Sequence, residues 1–176
     1  MTSINGLPAH ILLVHAVVIF IPLTALLVVL AVAWPAAHRR IGVVLPIVAL
    51  VTLVLVPVAV DAGEWLQSRL PGAESNPLIR AHTELGDQLL PWAIAMFVGA
   101  LALWLLPTLA RRGVQAEVLG AGWLRAVVGV LAVAVSVVAV VQVVRIGDSG
   151  SKAVWSGNVC VDPPAQGQSC TSTLGS

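Results

Sequence analysis

An all-α integral membrane protein, a four-transmembrane-helix bundle with extracytoplasmic termini and a short polar C-terminal tail, is the fold class this sequence predicts. Of 176 residues, 59% are hydrophobic and 10% charged, where an ordinary soluble domain carries roughly 25% charge. Four apolar stretches, 7–34, 41–60, 84–110 and 123–146, each reach the roughly 20 residues a helix needs to cross the hydrocarbon core. The loops after the first and third stretches carry clustered arginines, which sets the orientation. Residues 1–147 thus read as a transmembrane domain and 148–176 as an extracytoplasmic tail. Nine basic residues, none in a run longer than two, and a net charge of +1 leave no basic stripe for nucleic acid.

The first span has no Lys or Arg ahead of it and is far longer than the 7–15 residues typical of a signal-peptide core, so it reads as a retained helix. The loop behind it carries His38, Arg39 and Arg40, with His38 expected as an exposed loop histidine. Asn76-Pro77 is a cap and first-turn pair for the third helix, which then carries Arg80, His82, Glu84 and Asp87 on an extension before the membrane. Ala95, Gly99 and Ala102 make a small-residue stripe whose helical continuation reaches Gln88 and Glu84, and this face is expected to point inward. Arg111, Arg112 and Arg125 mark the second cytoplasmic loop. In the fourth span Gly129, Ala132, Ser136 and Ala139 recur at three- and four-residue spacing, which lets helices approach closely in lipid. Cys160 and Cys170 lie only in the tail, where an oxidising compartment and the nine-residue spacing favour a structural disulfide over a metal knuckle.

Seven of the eight acids, all but Glu117, fall on the side assigned as outer. Counting helical rise from the cytoplasmic arginines puts His10 and His82 at one height, with His15 roughly 7 Å deeper, level with Gln88 and Glu64. A histidine inside a span is costly to strand in lipid and marks a site by default, so His15 carries the strongest functional expectation. His10 and His15 are about 140° apart around a helix, so a shared ligand must recruit a second helix. Two chemistries fit: a b-type haem held by His15 and His82, with His10 as substitute and Arg69, Arg80 and Arg145 for the propionates, or a transition metal on His10, His15, Glu64 and His82. A cofactor-free accessory protein, with these groups in a hydrogen-bonded outer layer, is the alternative. Little polarity lies at the midplane beyond Thr24, Thr52 and Ser136, which argues against a transporter. A nucleophile elbow, phosphate loop and catalytic triad are missing from the sequence.

The run INGLPAHILLVHAVVIFIPLTALL, followed by AGEWL, HTELGDQLLPWA and RIGDSGSKAVWSG, resembles the four-helix bacterial membrane family filed as domain of unknown function 2231, particularly its actinobacterial members. The resemblance covers residues 4 to about 157 and implies the bacterial cytoplasmic membrane. The family's recurring histidines match His10, His15 and His82. Its last motif commonly reads Gly-His-x-Gly, whereas this chain has Gly147-Asp148-Ser149-Gly150, which removes a candidate ligand. Members joined to iron-sulfur domains or encoded near redox proteins imply a haem-binding electron-transfer subunit. The partners expected are the lipid bilayer and either a redox protein or a second copy of the chain.

Overall fold

In the computed structural model, residues 3–4, 7–156 and 160 are described. A minimal antiparallel pairing of Ser3–Ile4 with Leu7–Pro8 leads into α1 (Ala9–Ala33), α2 (Pro35–Ile41) and α3 (Val44–Gln67). A 3-10 turn at Ala73–Ser75 precedes α4 (Pro77–Asp87), α5 (Leu89–Arg111), α6 (Ala116–Leu119) and α7 (Gly122–Trp155). Among the described residues, four helical segments are long and apolar enough to span a bilayer: α1, α3, α4 continued by α5, and α7. They form two antiparallel hairpins, α1 with α3 and α4–α5 with α7. In cross-section α1 packs on α3 and α7, and α5 on the same two, while the α1–α5 diagonal barely meets.

Only about a third of each span's most apolar window is buried within the protein, and the outward sides carry residues such as Ile19, Val130, Leu131 and Val144. That surface suits acyl chains rather than water. The interior has two apolar layers. Val17, Ile21, Val56, Met96 and Ala139 belong to one; Val28, Leu45, Ala49, Ala100 and Ala132 belong to the other, nearer the arginine loops. Between them the buried Thr24 and Thr52 hydroxyls meet at 2.8 Å, with the Phe20 carbonyl in reach of Thr24 and the Val48 carbonyl in reach of Thr52. Of their two protons one joins the pair and the other goes to a carbonyl. A hydroxyl in lipid must satisfy itself, and this pair does so while tying α1 to α3.

The small-residue stripe of α7 is buried as expected: Gly129, Ala132, Ser136 and Ala139 all face inward. A Cβ on Gly99 would stand 3.1 Å from the Ala132 Cβ, and one on Gly129 would stand 3.2 Å from Val32. Glycine at these positions therefore sets how closely α7 approaches α5 and α1.

The third span differs from the expected inward face of Gln88 and Glu84, both of which are exposed. Its buried stripe is Leu89, Ala93, Met96, Ala100 and Leu103. The helix breaks at Gln88, three residues before Pro91, which has no N–H to offer the preceding turn. Helical steps nevertheless run through this point, since half-buried Leu85 and His82 lie four and seven residues back from Leu89. The Ala95, Gly99 and Ala102 stripe is itself only half-buried, at the edge of the inward face, and Gln88 and Glu84 continue that edge into exposure.

Candidate functional site

At the end of the bundle remote from the arginine loops, two histidines meet between the hairpins. His10 and His82 lie edge to face, ring centroids 6.4 Å apart and planes at 82°. The equal height expected from helical rise is thus observed. Each ring is held by the return helix of its own hairpin. His10 Nδ1 is 2.9 Å from the Ala59 carbonyl of α3, and His82 Nδ1 is 3.1 Å from both the Ile146 carbonyl and the Ser149 hydroxyl of α7.

Carbonyls only accept, so Nδ1 carries the proton in both rings. Ser149 donates its own proton to the Ile146 carbonyl at 2.8 Å, which leaves its oxygen to receive the bond from His82. Beneath each ring is a glycine four residues beyond the carbonyl acceptor: a Cβ on Gly63 would stand 2.9 Å from His10 ring atoms, and one on Gly150 would stand 2.9 Å from His82 Cε1. The same device, an imidazole seated on glycine and bonded one turn back, therefore closes both hairpins.

Neighbouring polar contacts complete this end. Asn76 caps α4 through its Oδ1, 2.9 Å from the Leu78 N–H, with Pro77 in the first turn. Thr83 lies 3.1 Å from Gln67 Oε1, bridging α4 and α3, and buried Gln142 donates to the Leu85 carbonyl at 3.3 Å. No buried side-chain nitrogen or oxygen among the described residues lacks a partner.

The other expected site residues are elsewhere. His15 is exposed, its Nδ1 bonded to the Ile11 carbonyl of its own helix. The inward stripe of α1 runs through Val17, Ile21, Thr24, Val28 and Ala31. His10, seven residues before Val17, falls on that stripe, whereas His15, two before it, is roughly 160° away. Glu64 is exposed. Arg69 stacks over the Trp65 ring at 3.9 Å, Arg80 pairs with Glu84 at 3.3 Å, and Arg145 faces outward on α7. Asp148, where the resembled motif commonly has histidine, is exposed and pairs with Lys152 at 2.8 Å. His38 is half-buried on α2, not an exposed loop residue. Of the expected Cys160–Cys170 bridge, Cys170 lies outside the described residues.

These positions overturn the haem-binding redox reading and the His/Glu metal alternative. The preferred axial pair never faces: His15 is turned out of the bundle while His82 is turned in. The substitute, His10, presses on helix backbone, as does His82, where a flat macrocycle would need a slot. Two of the three cations assigned to propionates are engaged at the surface. Among the described residues no three His, Cys, Asp or Glu side chains converge as a metal site.

The fold defines a multi-pass helical membrane protein whose distinctive constellation, among the described residues, is this histidine-glycine pair of clasps. The chain belongs to the family described as predicted membrane protein (DUF2231), whose model matches residues 6–163. No curated protein and no solved structure matches it.

Proposed function

We propose that this protein is an accessory module of the bacterial cytoplasmic membrane, a rigid four-helix bundle with both termini outside the cytoplasm. The observation that carries this reading is how the two inward histidines are used. Each Nδ1–H is spent on a backbone carbonyl of a neighbouring helix and each ring is seated on a glycine, the arrangement of a helix clasp. The arginines of the two short loops support the orientation, and an extracytoplasmic tail suits a Cys160–Cys170 disulfide. In this reading a partner protein or a second copy of the chain docks on the bundle.

A donor-rescue series tests the clasp. His82→Leu should lower the thermal midpoint in detergent, and His82→Asn, which keeps an N–H donor, should recover most of that loss. Equal loss in both variants overturns the reading, as do reduced α and β absorption bands in the purified protein that vanish in His82→Leu. For orientation, single cysteines near Ala37 or Gly113 should resist an impermeant maleimide in intact cells, while one at Ser3 should react.

A further inference from the structure

Beside the His82 clasp, a groove of about 260 Å³ opens between α4 and α7. One wall is aliphatic, formed by Leu78, Ala81 and Leu85; the other carries Arg145, Asp148 and Lys152. On a helix these three charged positions share one side. Asp148 is engaged by Lys152 and Glu84 by Arg80, so Arg145 has no hydrogen-bond or ion-pair partner among the described residues. The groove therefore holds one net positive charge, with its uncommitted guanidinium at the deep end.

The depth of that guanidinium is informative. Trp123 stands exposed at the opposite end of α7, and Arg145 is 22 residues further along, roughly 33 Å at helical rise. Arg125 and Arg145 are successive charged residues, and the chain between them has none. That length matches the roughly 30 Å hydrocarbon layer, which places Arg145 where acyl chains give way to phosphates. The groove extends from there toward Lys152, across the headgroup layer.

We propose that this groove is a phospholipid site that binds a headgroup of net charge −1 carrying hydroxyls, of the phosphatidylglycerol type. Arg145 pairs with the phosphate as a planar, multiply donating cation. Asp148, already balanced by Lys152, accepts from headgroup hydroxyls. Leu78, Ala81 and Leu85 cover the apolar edge of the lipid. A single net positive charge complements an anionic headgroup and leaves a zwitterionic one unbalanced.

The test exchanges the full-length protein into micelles containing equal phosphatidylglycerol and phosphatidylcholine and counts retained lipids by native mass spectrometry. Wild type should keep a single phosphatidylglycerol in preference to phosphatidylcholine. Arg145→Gln should lower that retention about tenfold, the factor expected for one lost charge-assisted contact, at an unchanged thermal midpoint because the side chain is exposed. Ala81→Trp, which fills the groove without altering charge, should also lose the lipid, and Arg69→Gln should retain it. Equal retention in wild type and Arg145→Gln, or no preference between the two lipids, overturns the proposal. Displacement of the lipid by soluble glycerol phosphate at matched concentration assigns the groove to a free phosphate instead and overturns it too.

Discussion

In the first hairpin, α1 and α3 are joined by one imidazole–carbonyl bond, His10 to Ala59, and by the buried hydroxyl pair Thr24–Thr52. In the second, His82 shares its proton between two acceptors, Gln142 adds a further bond, and the mid-membrane contact is close approach of Gly99 to Ala132. Lipid tails are as apolar as leucine, so burial gives helices in a bilayer little reason to associate. Each hairpin must supply polar bonds or intimate van der Waals contact. The first relies on polarity at mid-membrane, the second on small residues, and both finish with the same histidine-glycine clasp.

The sharpest way to break this contrast is at Gly99. Its neighbour is a Cβ fixed directly on a helix backbone, so Gly99→Leu must push α5 and α7 apart. The loss should be about 2–3 kcal/mol, the upper part of the range for overpacking. Unfolding in a sodium dodecyl sulfate titration measures it. A loss under roughly 0.5 kcal/mol, an ordinary surface effect, would show that close approach does not hold the second hairpin.

The glycine seats come next. In Gly63→Ala and Gly150→Ala the new methyl meets a ring at 2.9 Å, and a ring at the end of a side chain can swing aside. The cost is then its hydrogen bond, on the order of 1 kcal/mol. His82 has two acceptors within reach and His10 one, so Gly150→Ala should be the milder change. The reverse order would show that the shared proton of His82 brings no extra tolerance.

Much of this architecture was legible without coordinates. Apolar length alone yields the four spans, and because helical rise is nearly constant, levels counted from the arginines place His10 beside His82. Direction is harder than depth. His15 drew the strongest expectation because a buried imidazole needs a partner, but seven-residue spacing from Val17 selects His10, and that phase signal is in the sequence. Glu84 and Gln88 are expected inward because small residues mark the Ala95, Gly99 and Ala102 side, yet that side is only the edge of the buried face, whose centre is the larger Leu89, Met96 and Leu103. Gly63 and Gly150 were not readable as seats, since a glycine's importance depends on which side chain another helix brings to it. The Gly147 to Gly150 motif could have pointed to the second, and its serine and final glycine are the residues that hold His82.

A smaller effect is expected at the Thr24–Thr52 pair. Polar pairs between membrane helices contribute about 0.6 kcal/mol on average, because the separated helices find other partners. Thr24→Val, Thr52→Val and the double variant form a cycle whose coupling should be of that size. Coupling near zero would mean that the bonds to Phe20 and Val48 alone satisfy the two hydroxyls, and the first hairpin would then lose its distinguishing polar link.

The smallest effect belongs to His38, where the hairpins approach at the arginine end. Burial lowers its pKa most, with the charge of Arg125 next; Arg111 and Arg39 add to this, and a hydrogen bond to the Ala31 backbone opposes it. The unfolded chain takes up this proton near pH 6.5, whereas the folded chain resists it. Below about pH 6.5 the unfolded state therefore binds more protons, and stability falls with falling pH. Above that value the contribution is fully present. The side chain is half-buried and solvent screens part of the effect, so the thermal midpoint should drop only modestly from about pH 7.5 to about pH 5.5, a range centred on histidine titration. Arg125→Gln should shrink the drop by removing the largest charge acting on His38 from the other hairpin. His38→Gln should shrink it further. A drop of the same size in wild type and His38→Gln would assign the pH dependence to another group and remove this link between the two hairpins.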